Sequence, residues 1–453
     1  MRDQAHDPLT EIAGATAAGG SSERLAALVD GYARRVYPAV LEQHAGASVS
    51  SPLGVWLLLA ACVSGAGVDH RAALEEVLGC SADDAGELLA VFLAAPPPAL
   101  KAAIAVWVSV ADSTEELAGW VRGLPGAVES GFMPTQGDAD AWAEKNTLGL
   151  IESFPLRIDA ATRIVLASAL ATKVSWQVPF EVVPASEHLG EQSPWRAGVE
   201  RLLWDREPAG LASIADTRSA GLVAVHQAVA EEDLTVISVS ADPDVPRAAV
   251  LDAAHEVAAF AREGSPAAAC SLFDLPLGSG HSWQITERET RTYLAGERVE
   301  QIAGVSLPSW HMKSRLDLQA SELFGAAPAL EVMRELIGPR PDDITDAAQV
   351  SVASFTRDGF EAAAITEFMV ACAFRAPPQE TGTERVAILR FDHPYAAVAI
   401  SGRPTHPQSL AHPVAPFTGL PLFSAWVEEP REVEQTPPPG PTAPRGRRTS
   451  RPG

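Results

Sequence analysis

Asp358-Gly359-Phe360-Glu361-Ala362-Ala363-Ala364-Ile365-Thr366 sets a glycine and a glutamate before a run of small residues that ends in threonine. Taken as a strand from Phe360, one set of alternate positions is Phe360, Ala362, Ala364, Thr366, Phe368, Val370 and Cys372. The other is Glu361, Ala363, Ile365, Glu367, Met369, Ala371 and Ala373. Successive strand side chains point to opposite faces, so the first set suits a core while both glutamates of the second face solvent. Pro377 and Pro378 have no N–H to give to a ladder, which ends such a strand after about 14 residues. The segment is written as a half-buried strand.

Outward from this stretch, five further segments carry a common pattern. Ser51-Pro52-Leu53 opens an apolar run that closes on Gly65-Ala66-Gly67. Trp142, Thr147, Gly149 and Ile151 follow. Next comes Ser168-Ala169-Leu170-Ala171-Thr172-Lys173-Val174-Ser175-Trp176-Gln177-Val178-Pro179-Phe180. The last two are Phe391-Asp392-His393-Pro394-Tyr395-Ala396 and Leu422-Phe423-Ser424-Ala425-Trp426-Val427 with Pro430. In order and spacing the set resembles the serpin (serine protease inhibitor) family, as a divergent bacterial-type member.

The resemblance implies a mixed α/β (α+β) fold. A large central, mostly antiparallel sheet is expected, with additional sheets, a helical N-terminal half and an exposed reactive loop. The expected organisation is a flexible N-terminus over 1–20, one serpin domain over 21–430 with the loop at about 357–390, and a disordered Pro/Arg-rich tail over 431–453. The implied function is suicide inhibition of serine endopeptidases: the peptidase cuts the loop, forms its acyl-enzyme, and is trapped as the cut strand enters the sheet. Gly359, Phe360, Glu361, Ala362, Ala363, Ala364, Ile365 and Thr366 are then the hinge. Family spacing puts the cut after Ala373, with Phe374 and Arg375 as competing positions. Ala373 suits an elastase-like or subtilisin-like peptidase, Phe374 a chymotrypsin-like one and Arg375 a trypsin-like one. Gly54, Ser168, Trp176 and Gln349 mark the region where the sheet opens.

Departures from the inhibitory pattern support the alternative, a non-inhibitory serpin-fold binding or scaffold protein. Phe360 stands where threonine or serine is usual, so insertion depends on whether a pocket awaits the ring. Arg357 replaces a glutamate, and Ser309 that glutamate's basic partner. Gly54, Ser168 and Gln349 replace the usual serine, asparagine and histidine.

Composition fits a globular chain of 453 residues, 47% hydrophobic and 20% charged. A formal charge of −24 speaks against a nucleic-acid partner, since an acidic surface repels phosphates. No basic-then-apolar leader opens the sequence and no apolar run approaches the ~20 residues that cross a bilayer, so a cytoplasmic protein with no membrane partner is expected, and a monomer is the expected state. Cys62, Cys80, Cys270 and Cys372 lack C-x-x-C spacing and are expected reduced, with Cys372 inside the loop.

Enzyme motifs are missing or broken. There is no G-x-S-x-G elbow. His255-Glu256-Val257-Ala258-Ala259 lacks the second histidine of a zinc helix, and Gly65-Ala66-Gly67-Val68-Asp69-His70 puts histidine where a dinucleotide loop needs its third glycine. His281 and His311 stand alone. No enzyme, cofactor or metal is expected.

The N-terminal helix is read over Ser22 to Gln43, capped by Ser21 or Ser22, and strands are read over Ala102 to Val110 and Leu234 to Val239. Arg445, Arg447, Arg448 and Arg451 make the tail basic, and a solvated terminus is expected there.

Overall fold

The computed structural model describes residues 8–112, 114–206, 208, 211–263, 269–270, 272–292, 294–341, 343–360, 380–403 and 415–430. Along the chain, α1 (Pro8–Gln43) leads through β1 (Ser48–Ser50) to α2 (Pro52–Val63), α3 (Val68–Leu78) and α4 (Ala82–Ala94). Then come β2 (Leu100–Val108), a 3₁₀ turn at Val110–Asp112, α5 (Glu115–Gly123), β3 (Glu129–Phe132) and α6 (Gln136–Asn146). The middle holds β4 (Ile164–Thr172), β5 (Val174–Ser175), β6 (Glu181–Pro184), α7 (Ala185–His188), β7 (Arg201–Arg206), β8 (Ala212–Thr217), β9 (Gly221–Val229), β10 (Leu234–Ser240) and α8 (Arg247–Glu263). The remainder is β11 (Ala269–Cys270), β12 (Gly278–Ser279), β13 (Trp283–Thr292), β14 (Arg298–Leu307), β15 (Trp310–Asp317), α9 (Ala326–Leu336), β16 (Ala348–Phe355), β17 (Gly359–Phe360), β18 (Glu380–Arg390), β19 (Tyr395–Ser401) and β20 (Pro421–Val427).

The first helix begins at Pro8, well before the Ser21 or Ser22 start expected for it. The second helix forms as its sequence dictates. Ser51 caps it by accepting from the Gly54 N–H, Pro52 sits in the first turn where its missing N–H is harmless, and an apolar body is buried on nearly every side. α6 starts on a reciprocal Thr135–Asp138 capping box. It ends in a turn where Gly149 takes φ +83°, a conformation costly for any residue with a Cβ.

Four sheets are present among the described residues. β1-β20-β19-β10-β9-β8-β11 is wholly antiparallel, and its face packs on α1 and α8. There a buried chain of polar groups joins three elements: Asp30 holds His255 Nδ1 at 2.7 Å, His255 Nε2 meets Ser424 Oγ at 3.2 Å, and Tyr37 donates to Ser424 at 2.5 Å. β12-β13-β18-β14-β7-β6 forms the second sheet, with β14 and β18 parallel.

The last two sheets are halves of what the sequence suggests is one central sheet. β3-β2-β4 lies on one side and β15-β16-β17-β5 on the other. β4 and β5 are one continuous run of chain broken at Lys173, so the halves share a strand. Along β4, Val165 and Ala167 pack with Trp107, Ala143 and Phe154 beneath α6, while Ile164, Leu166 and Leu170 turn to the main core. Period-two burial on both faces is what a strand sandwiched between layers requires.

Candidate functional site

Among the described residues, strand pairing joins the two halves of the central sheet at one end only. β16 runs to Phe355, turns through Thr356-Arg357-Asp358, and returns as β17, which pairs Phe360 with Phe355 on one side and with Val174 on the other, and Gly359 with Ser175. Below that point β4 pairs with β2 and β16 with β15, and no ladder joins β4 to β16 among the described residues. Between them lies a cavity of about 90 Å³. Leu166, Ser168 and Leu170 of β4 line one wall, Gln349 and Ser351 of β16 the other, with Trp142 of α6 above.

The turn that closes the slot is fixed by backbone bonds. Trp176 N–H donates to Asp358 O at 3.0 Å, Phe180 N–H to Arg357 O at 2.9 Å, and Thr356 N–H to Gly359 O at 3.0 Å. Trp176 Nε1 donates to Thr356 O at 3.0 Å, and its ring lies 4.9 Å from that of Phe355. Trp176 thus sits at the upper end of the slot.

Phe360 is only 2% exposed, with Trp310 edge-on at 6.2 Å and Phe423 at 6.4 Å between ring centroids. The pocket whose existence the sequence leaves open is there, and the ring fills it. Arg357 is half-exposed, donates to Phe180 O at 3.3 Å and lies 3.7 Å from Asp358, and Ser309 is buried.

Gly54, Ser168 and Gln349, far apart in sequence, meet in the middle of the slot. Ser168 Oγ donates to Gly54 O at 3.1 Å. A Cβ on Gly54 would stand 3.5 Å from both Ser168 Oγ and Gln349 Nε2, so the absent side chain leaves that corner to them. The Gln349 amide makes two bonds with Ser51, accepting its N–H at 3.0 Å and donating to its carbonyl at 2.8 Å, and it also accepts from Ser351 Oγ. Ser51 Oγ in turn donates to Leu422 O at 2.8 Å. The cluster ties the start of α2 to β4 and β16 without bonding the two strands to each other.

Sequence reasoning misses a second set of groups, at the other end of the slot. Arg163, just before β4, donates to Asp112 at 2.7 Å, to Asp343 at 2.8 Å and to the carbonyls of Ile337 and Gly338. Arg340 reaches Asp112 at 2.6 Å, and Arg334 lies 3.8 Å from Asp343. The Arg163 hydrogen bond holds the Asp112 carboxyl below the usual range; a backbone bond from Arg340, then Arg163, does the same for Asp343. Their spacing in sequence follows no period, which is why no pattern announces them.

Glu361, Ala362, Ala363, Ala364, Ile365 and Thr366, the candidate cut positions Ala373, Phe374 and Arg375, and Cys372 lie outside the described residues. Of the other cysteines, Cys62 is buried, which pushes its thiol up to about 12, and Cys80 is partly buried. His255 bonds within the buried chain above, His281 packs on Trp283 and His311 Nδ1 meets Ser354 Oγ at 2.5 Å. No cluster of metal-ligating residues occurs, and no helix is long and apolar enough to cross a membrane, among the described residues.

Residues 28–188 match the family model Serpin (serine protease inhibitor). No curated protein matches the chain. Solved structures do, at low identity. Mouse protein-Z dependent protease inhibitor is 14% identical with a TM-score of 0.59, over 90% of this chain and 98% of that one. Tengpin, a thermophilic serpin in its native state, is 13% identical with a TM-score of 0.58, over 95% and 96%. Human thyroxine-binding globulin, solved with its hormone, is 14% identical with a TM-score of 0.58, over 91% and 100%. Such similarity gives the chain the serpin fold, and residues 28–188 are similar to the serpin family.

Proposed function

We propose that the chain is a suicide inhibitor of serine endopeptidases that acts by moving its loop strand into the slot between β4 and β16. The observation that carries this reading is β17: Gly359 and Phe360 already occupy the top of the slot as a strand antiparallel to both neighbours, and a cavity continues the same path below. Extension by the remaining ~12–13 residues would satisfy the facing edges of β4 and β16. At ~0.5–1.5 kcal/mol per net hydrogen bond, that yields on the order of 10 kcal/mol, before apolar burial is added. The target peptidase supplies the nucleophile, and the inhibitor supplies this stored free energy. Ala373-Phe374 is the preferred scissile bond, and a peptidase with an elastase-like, subtilisin-like or chymotrypsin-like pocket is the partner.

The second reading, a non-inhibitory binding or scaffold protein, draws on the same residue. Phe360 is so well housed that the hinge is anchored, and the departures at Arg357, Gly54, Ser168 and Gln349 fall together around the slot. Thyroxine-binding globulin, among the structural neighbours, carries a small ligand on this architecture.

Incubation with a panel of peptidases, read by denaturing gel and mass spectrometry, separates the two. A covalent complex whose released peptide begins at Phe374 establishes inhibition at that bond. Clean cleavage with no complex, across the whole panel, favours the second reading.

A further inference from the structure

The ion cluster of Arg163, Asp112, Asp343 and Arg340 bridges the two halves of the central sheet. Arg163 and Asp112 belong to the half built on β2 and β4, at the entry to β4 and in the 3₁₀ turn after β2. Asp343 and Arg340 belong to the connection between α9 and β16. Arg163–Asp343 and Arg340–Asp112 are therefore both pairs across the slot, at 2.8 and 2.6 Å. They are shielded as well: the side chains of Asp112, Asp343 and Arg163 are 3%, 8% and 12% exposed.

Register fixes where along the slot this bridge stands. Gly359 lies opposite Ser175 and Phe360 opposite Val174, so a strand that continues one for one sets position 371 beside Arg163. Against the other wall, Phe360 opposite Phe355 sets position 367 beside Ala348, where β16 begins, and Asp343 lies five residues before that end. Both positions precede the candidate cut after Ala373. Neighbouring strands stand ~4.8 Å apart, so a strand that enters fully must pass between the partners of these pairs, where hydrogen-bond distance leaves it no room.

We propose that this cluster is a latch on the base of the slot, which strand insertion must break in its final steps, and that Asp343 and Arg340 thereby set the rate of complete insertion. The proposal rests on the insertion reading above and adds to it a place and a pair of side chains. Early insertion passes only the polar cluster at Gln349; late insertion meets the charges.

A synthetic peptide of residues 361–373, incubated with the uncut protein and followed as the fraction that resists heat, measures complete insertion. A peptide of residues 361–368 stops short of the latch. In Asp343→Asn the long peptide is expected to enter on the order of tenfold faster than in the unaltered protein, while the short peptide enters at the same rate in both. Arg340→Gln, which alters the exposed partner, is expected to act in the same direction and serves if Asp343→Asn does not fold. Equal or slower entry of the long peptide in whichever variant folds, or equal acceleration of both peptides, overturns the latch. If neither peptide ever produces a heat-resistant form of the unaltered protein, the insertion reading itself fails, and the latch with it.

Discussion

Phe360 departs from the serpin pattern, and its surroundings explain how the chain accommodates it. A ring that size, placed against a full sheet, would force neighbours off their preferred rotamers; here it lies between Trp310 and Phe423 and pairs through its backbone with two strands. Phe360→Ala should lower the stability of the uncut protein by about 3 kcal/mol, the loss typical of a buried phenylalanine, as read by denaturant unfolding. An unchanged midpoint would mean the ring contributes nothing to closing the slot. Gln349 invites a second substitution. Its amide serves both the N–H and the carbonyl of Ser51, so Gln349→Ala strands two backbone groups at the head of α2 and should cost roughly 1–3 kcal/mol for each that stays unsatisfied. Gly54, Ser168 and Gln349 were readable as a group only through family spacing, since nothing in their separate neighbourhoods marks them. Their contact is a property of the fold.

At the level of elements, α2 and β4 were legible and the split of the central sheet was not. An apolar run behind Ser51-Pro52 leaves a helix little choice, and small and apolar residues around Trp176 write a strand buried on both sides. Whether β4 and β16 hydrogen-bond to each other is decided by what occupies the space between them, which neither segment encodes. α1 shows the opposite failure. Its first turns carry Ala and Gly with few large apolar residues, so the periodicity that marks the helix starts only near Ser22, although the helix begins at Pro8. The ion cluster at the slot base yields a pH prediction. Asp112 and Asp343 face Arg163, Arg340 and Arg334, and both carboxyls are held below their ordinary value near 3.9. A depressed folded value means that the stabilisation is complete above that ordinary value and is lost as pH falls through the folded one. Melting of the uncut protein followed downward from pH 5 should therefore show a loss that is smaller in Asp343→Asn, and identical acid profiles would mean the pairs do not contribute.

For the whole molecule, the decisive quantity is the difference between the uncut and cut states. Cleavage in the loop should raise the melting temperature steeply if the strand then fills the slot, and an unchanged value would defeat insertion as the mechanism. Ala364 falls in the alternate set that would face inward on insertion, so Ala364→Arg should turn complex formation into plain turnover by the same peptidase, because a long charged side chain cannot be left unpaired in the core. Indifference to that change would shift the inward register by one residue. The fold came through five ordered segments spread along the chain; the choice of peptidase did not, because the adjacent Ala373, Phe374 and Arg375 each suit a different pocket. The placement of indoles along the slot has an optical consequence. Trp176 and Trp310 already pack around the top, where Phe355 and Phe360 are seated, so further entry changes little around them. Trp142 lines the cavity and lies edge-on to Trp107 at 5.3 Å, so this lower pair is where a change of emission should begin as a strand enters, and the protein carries its own lamp there.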